Sequence, residues 1–221
     1  MIDTKVNDYS DDRYFTRTAA AFVRGKLEGV APELSAEELI TLGLSSGLRL
    51  HKFKRNAELP RVRKVLGILR ALSPATLLDV GSGRGTFLWP LVEAFPELRV
   101  TAVDTNPVRV ADINAVRVGG ISNLQAFRMD AAGLLLEDNE VEVVTALEVL
   151  EHLPSPRKAA AEAVRVAGQY VIASVPSKDD ENPEHIHLFD RRSFESLFID
   201  AGAKSVKVDF VLNHMIAVAK V

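Results

Sequence analysis

The sequence has no cysteine. Disulfide cross-links, zinc–thiolate centres and cysteine nucleophiles are therefore excluded. It also lacks an excess of either charge: 27 Lys and Arg against 30 Asp and Glu leave a net charge of −3, so no global basic field advertises nucleic-acid binding and DNA is not indicated. A local basic patch would still be enough for RNA. No apolar run approaches the length of a membrane span. The first residues, Met1-Ile2-Asp3-Thr4-Lys5, have no apolar segment of the kind a signal peptide needs. Internal repeats and low-complexity tracts are absent. What is left is an ordinary globular composition, 47% hydrophobic and 26% charged over 221 residues, enough for one domain with a full core. A cytoplasmic protein is the expectation.

Against that background one stretch stands out. Thr76-Leu77-Leu78-Asp79-Val80-Gly81-Ser82-Gly83-Arg84-Gly85-Thr86-Phe87 reads as a strand, a turn with glycine at alternate positions, and the start of a helix. That order of elements binds nucleotide-like cofactors at a helix N-terminus.

The rest of the chain is placed from there. A helix is expected from Asp11 to about Glu28, with residues 1–10 loose. Ser35-Ala36-Glu37-Glu38 reads as a capping box for a second helix, which Gly43 and Gly47 interrupt. Pro60 suits the first turn of a third, with Val62, Val65, Leu66, Leu69 and Leu72 on its apolar face. Strands follow at 76–80, 99–103, 124–128, 141–147 and 169–175, alternating with helices near 85–95, from Asn106-Pro107 to Gly119-Gly120, and from Ser155-Pro156 to Gly168. After a polar loop at 177–190 comes a helix carrying Phe194, Leu197 and Phe198. Two strands, about 204–210 and 212–219, close the chain as an antiparallel hairpin. Repeated strand–helix units predict a doubly wound α/β fold with a parallel sheet, the hairpin adding one antiparallel strand at an edge. Residues 1–72 read as a helical extension that caps the substrate, and 73–221 as the cofactor-binding domain.

The glycines do not follow the dinucleotide spacing, because Thr86 stands where the third glycine would be. Asp79 lies just before the turn, where a carboxylate is unwelcome beside phosphate and welcome beside a cation. S-adenosylmethionine carries a sulfonium and an ammonium group and no phosphate, so the chemistry favours it. Asp104 ends the next strand, nineteen residues after Gly85, and could accept from both ribose hydroxyls. Asp130 follows the third strand and could accept from the adenine amine, with Met129 and Ala131 flanking the ring. The plainer alternative is that these acids only cap helices and turns.

Leu77 to Gly85, Val103-Asp104-Thr105-Asn106 and Leu147-Glu148-Val149-Leu150-Glu151-His152 resemble the successive motifs of class I S-adenosylmethionine-dependent methyltransferases. The likeness covers roughly residues 60–221 and implies a Rossmann-like, seven-stranded, mostly parallel sheet with the last strand antiparallel. It also implies that Asp79, Gly81, Ser82, Gly83 and Gly85 line the methionine end, Asp104 and Thr105 the ribose, and Asp130 and Ala131 the adenine. Leu147 and Glu148 would then wall the transferred methyl.

The exit of the fourth strand is open to two readings. If residues 148–152 form a helical turn, Glu148, Glu151 and His152 share one face. With His185 from the loop after the fifth strand they make a metal site for Mg²⁺, Mn²⁺, Fe²⁺ or Co²⁺. That set resembles the small-RNA 3′-end 2′-O-methyltransferases, although the loop before His185 is shorter and the tryptophan usual just after the last histidine region is missing, with Phe189 nearby instead. In the metal-free reading the same residues cap a helix, and His185 or His187, with Glu148, is the candidate general base. His51 and His214 read as structural or solvated.

The basic run Arg49, His51, Lys52, Lys54, Arg55, Arg61, Arg63 and Lys64, opposed only by Glu58, could hold phosphates of RNA or an anionic small molecule, or be a solvated face. The expected function is transfer of a methyl group from S-adenosylmethionine to a small-molecule or RNA acceptor, with metal-assisted RNA ribose 2′-O-methylation as one alternative. A non-catalytic, cofactor-binding regulator on the same fold is another.

Overall fold

The computed structural model describes residues 14–55, 59–178 and 182–221. Expectations for residues 1–13 and for Glu58 lie outside them. Strands β1 (Thr76–Val80), β2 (Arg99–Asp104), β3 (Leu124–Arg128), β4 (Val141–Leu147), β5 (Ala167–Pro176), β6 (Ser205–Val211) and β7 (His214–Lys220) form one sheet in the order β3-β2-β1-β4-β5-β7-β6. The first five pair in parallel, and β7 runs antiparallel to both β5 and β6. The reversed strand thus lies inside β6 and not at the edge as expected. It exposes fewer backbone groups there than an edge position would.

Helices cover both faces. Helices α3 (Pro60–Leu72), α4 (Leu88–Ala94) and α5 (Pro107–Val118) bury Val65, Leu69, Leu88, Leu91 and Val116 in one apolar cluster with Leu77, Val100 and Leu124 of the sheet. Helices α6 (Pro156–Val166) and α7 (Arg191–Ile199) bury Ala160, Phe194 and Phe198 with Leu78, Val144 and Val171 on the other face. Alternate residues of β1, Leu77 and Leu78, go to opposite clusters, as a strand's twofold side-chain period requires.

The N-terminal helices α1 (Thr16–Lys26) and α2 (Ala36–Ser45) join the first cluster, through Ala19, Phe22, Val23, Leu39 and Ile40. Helix α1 crosses α5 so closely that a Cβ on Gly25 would lie 1.9 Å from the Ala115 carbonyl oxygen. One on Gly119 would lie 1.7 Å from that of Ala21. The Ser35 capping box is present, closed by Glu38. Gly43 does not interrupt α2, which runs on to Ser45, because the missing side chain makes room for Val23. Nor does Gly168 end α6: the helix stops at Val166 and β5 begins at Ala167. No helix among the described residues is long and apolar enough to cross a membrane.

The close helix crossing gives a stability test. Gly119→Ala places a methyl group into backbone and is expected to cost about 1–3 kcal/mol or more. Gly67→Ala, in the interior of α3 with open space around it, should add about 0.5–1 kcal/mol. Thermal or urea unfolding of the two variants should move in opposite directions.

Candidate active site

The C-terminal ends of β1, β2, β3 and β4 open onto one cleft of about 690 Å³. Its floor is the turn after β1. Gly81, Gly83 and Gly85 all have left-handed backbone, at φ 69°, 58° and 86°, which side chains other than glycine rarely adopt. Close contacts remove further alternatives at two of them: a Cβ on Gly81 would lie 2.6 Å from Val149, and one on Gly85 2.0 Å from the Trp89 indole nitrogen. Trp89 in turn donates its indole N–H to the Arg84 carbonyl at 2.9 Å. It also packs on Phe53, and Phe53 on Phe22 of α1, with centroids 4.9 and 5.0 Å apart.

Of the expected cofactor residues, Gly81, Gly83, Asp104, Thr105, Asp130 and Ala131 line this cleft. Asp79 and Ser82 are buried at the turn's base, Gly85 faces a neighbouring cavity, and Leu147 packs against the core. Asp104 is buried. Its carboxylate accepts from the backbone N–H of Gly83 at 2.9 Å and of Asn106 at 2.8 Å, and pairs with Arg109 at 3.3 Å. It therefore ties β2 to the glycine turn as well as facing the cleft. Asp130 is exposed and accepts from the Ala132 N–H at 2.8 Å. Arg109, Val149 and Leu153 also line the cleft. Sequence reasoning missed them; the clue for Arg109 was its place in the first turn of α5, five residues after Asp104.

Asp79 is the electrostatic centre of the floor. Thr145 donates to Oδ1 at 2.9 Å, while Oδ2, also buried, has no hydrogen-bond partner among the described residues. Burial pushes the carboxyl up to about 6, against the pull of the Ser82 and Thr145 hydroxyls and with some help from the Asp104 charge. A buried carboxylate with one oxygen unsatisfied fits a cationic ligand and repels phosphate.

The far wall of the cleft holds Glu148, Val149, His152 and Glu184. The expected helical turn at 148–152 is not formed as such: a 3₁₀ turn covers only Leu150–His152, and Glu148 stands before it at φ 58°. That left-handed residue turns Glu148 away from Glu151. Its carboxylate takes a hydrogen bond from Ser174 Oγ at 2.6 Å, meets His214 Nε2 at 3.0 Å, and lies 3.8 Å from Arg61 Nε. His214, expected to be structural or solvated, is thereby brought to Glu148 at the C-terminal end of the parallel strands. The register of β5 against β7 does this by setting His214 beside Pro176.

Glu151, His152 and His185 come together with one ligand atom each, all within 4.8 Å of one another. Glu151 is fully buried. His152 Nδ1 lies 2.9 Å from the Glu184 carbonyl oxygen. A carbonyl can only accept, so Nδ1 carries the proton and the lone pair of the neutral ring is on Nε2. His187 is held similarly, Nε2 donating to the Leu153 carbonyl at 2.9 Å. A cavity of similar size, about 680 Å³ between α1, α2 and the end of α5, contains none of these groups.

A sequence profile described as a methyltransferase domain matches residues 51–208. This chain belongs to that family. The methyltransferase domain is also similar to the ubiquinone biosynthesis O-methyltransferase of Cupriavidus pinatubonensis, at 27% identity over 110 residues. That match spans 48% of this chain and 44% of the relative, so less than half of the relative's length is represented. Among solved structures, an S-adenosylmethionine-dependent methyltransferase from Aquifex aeolicus superposes with a TM-score of 0.59 at 24% identity, covering 74% of this chain and 90% of that one. Magnesium protoporphyrin IX methyltransferase from Synechocystis, solved with bound S-adenosylhomocysteine, gives a TM-score of 0.58 at 18% identity, covering 72% and 81%. These likenesses establish the fold. Family membership adds that this is a methyltransferase domain.

Asp79 yields a prediction with a definite sign. Its folded pKa lies above the ordinary 3.8, so the free protein is favoured below pH 3.8 and loses stability as pH rises towards 6. By pH 7.5 the loss is about 3 kcal/mol. A bound cation reverses the preference and selects the carboxylate. With the cationic end of S-adenosylmethionine placed at Asp79, as proposed below, its affinity should fall roughly tenfold between pH 7.5 and 5. Asp79→Asn should bind weakly with a flat pH profile, yet melt above the wild type at pH 7.5 without ligand. Calorimetric titration and thermal unfolding read the two effects separately.

Proposed function

We propose that this methyltransferase domain transfers a methyl group from S-adenosylmethionine to an oxygen of its acceptor. The observation that carries the reading is the single cleft whose one end holds the glycine turn, Asp104 and Asp130 and whose other end holds Glu148 and His152. The choice of oxygen draws on the O-methyltransferase relative.

The cofactor, when bound, supplies an electrophilic methyl on a cationic sulfur. The protein's part is positioning and charge placement. In this reading Asp79 and the glycine turn hold the cationic methionine end, Asp104 and Thr105 take the ribose hydroxyls, and Ala131 and Asp130 bound the adenine. Glu148, fixed by Ser174 and His214, accepts the proton that the acceptor hydroxyl loses. His187 is a positioning residue, because its Nε2–H holds the loop at 185–189 against Leu153. Helix α3, carrying Arg61 beside Glu148, would form the acceptor's side of the site.

A second reading, with a metal, has its own support in Glu151, His152 and His185. The donor set fits: one buried carboxylate and two imidazoles, with His152 oriented through Nδ1 as metal-bound histidines commonly are. Two nitrogen donors suit Mn²⁺, Fe²⁺ or Co²⁺ better than Mg²⁺, which prefers oxygen. A metal held there would lower the pKa of an acceptor hydroxyl. A ribose diol at an RNA end is the acceptor class this arrangement would suit, and Glu148 is not among the ligands.

Transfer of labelled methyl from S-adenosylmethionine into cell extract, followed by ribonuclease or protease treatment, tests the activity. Cofactor binding without any labelling would point to a regulator instead. Glu148→Gln should lower kcat at least about tenfold while leaving cofactor affinity intact; unchanged kcat removes Glu148 from the chemistry. For the metal, Co²⁺ titration should give a visible absorption band that Glu151→Ala abolishes. Turnover that is indifferent to chelators, with no band, rejects that reading.

A further inference from the structure

The basic run at residues 49–64 divides in two once folded. Lys52 is ion-paired with Asp112, Arg61 lies 3.8 Å from Glu148, and Lys64 lies 3.3 Å from Asp209. These charges are paired within the chain. Lys54 is not, and neither is Arg84 of the glycine turn; His51 lies beside them. All three are exposed, and their side chains have no hydrogen-bond or ion-pair partner among the described residues.

The three line one cavity of about 320 Å³, together with Phe15, Val62 and Leu66. Val62 and Leu66 are buried at 4% and 6% exposure, so the cavity has an apolar inner wall and a cationic rim. A neighbouring cavity of about 300 Å³ shares His51, Lys52 and Arg84 with it and reaches Gly83 and Arg109. Those last two also line the cofactor cleft. The hollow therefore continues round the glycine turn to the cofactor.

Uncompensated cations beside a concave apolar surface attract an anion that has something apolar attached to it. We propose that this cavity binds an amphiphilic anion, a phosphate or carboxylate head group on an aliphatic or aromatic body. The head would sit at Lys54 and Arg84 and the body against Phe15, Val62 and Leu66. The binding claim stands on the cavity alone. Its use, as the handle by which an anionic acceptor is held beside the cofactor, rests on the methyl-transfer reading.

Three probes separate the parts of the site: octyl phosphate below its micellar concentration, inorganic phosphate and octanol. In calorimetry on the full chain, octyl phosphate should bind at least about tenfold tighter than either fragment and weaken with added salt. Lys54→Glu should weaken it about tenfold or more, and Arg84→Gln by several-fold. Both positions are exposed, and circular dichroism confirms that the variants fold. Equal binding of octanol, equal binding of inorganic phosphate, no binding of octyl phosphate, or wild-type affinity in Lys54→Glu each overturns the proposal. A phosphate-only preference would indicate a polynucleotide backbone. Failure to bind S-adenosylmethionine, measured separately, defeats the methyl-transfer reading and leaves the octyl phosphate result intact.

Discussion

Three left-handed glycines in five residues, braced by Trp89 below and Val149 beside, are the constraint on which the site depends. The turn can exist only where side chains are absent, and it stays in place only because bulky neighbours occupy the space those side chains would have filled. Trp89 connects it through Phe53 to Phe22. Asp104 connects it to β2 by accepting the Gly83 N–H. A change in how α1 packs would therefore be felt at the cofactor floor, although α1 itself lines none of the cleft.

The same floor contains an unfavourable buried charge. An aspartate buried between Thr145 and Ser82 makes poor sense as a stabilising element. In the proposed reading it faces a cationic ligand, whose charge is felt strongly in so dry a place. Glu148 shows a related compromise. A glutamate at positive φ is strained, and three elements hold it there: β5 through Ser174, β7 through His214 and α3 through Arg61.

Much of this was legible in the sequence. Strands β1, β3 and β4 fall where apolar runs ended at acidic or glycine residues, and the glycine spacing with Asp79 pointed to a cationic, phosphate-free cofactor. What could not be read was anything set by a backbone exception or by distant register. A helical turn was the natural reading of E-x-x-E-H, and the left-handed Glu148 defeats it by separating that carboxylate from Glu151. His214 lies 66 residues from Glu148 in the chain, and only the pairing of β7 with β5 joins them. The basic run looked like one feature because sequence spacing does not reveal that Asp112, Glu148 and Asp209 neutralise some of its members and leave others free.

The position of β7 has a consequence for how the domain is assembled. Strand β6 is made first but has only β7 to pair with, and β7 must slot between it and β5. As the chain emerges from the ribosome, β6 therefore waits without a partner, its backbone groups and the apolar Phe210 open to chance encounters. Glu148 waits as well, since the imidazole that meets it arrives with β7. The glycine turn and the sheet centre use strands made earlier, whereas the surroundings of Glu148 are complete only once β7 is in place.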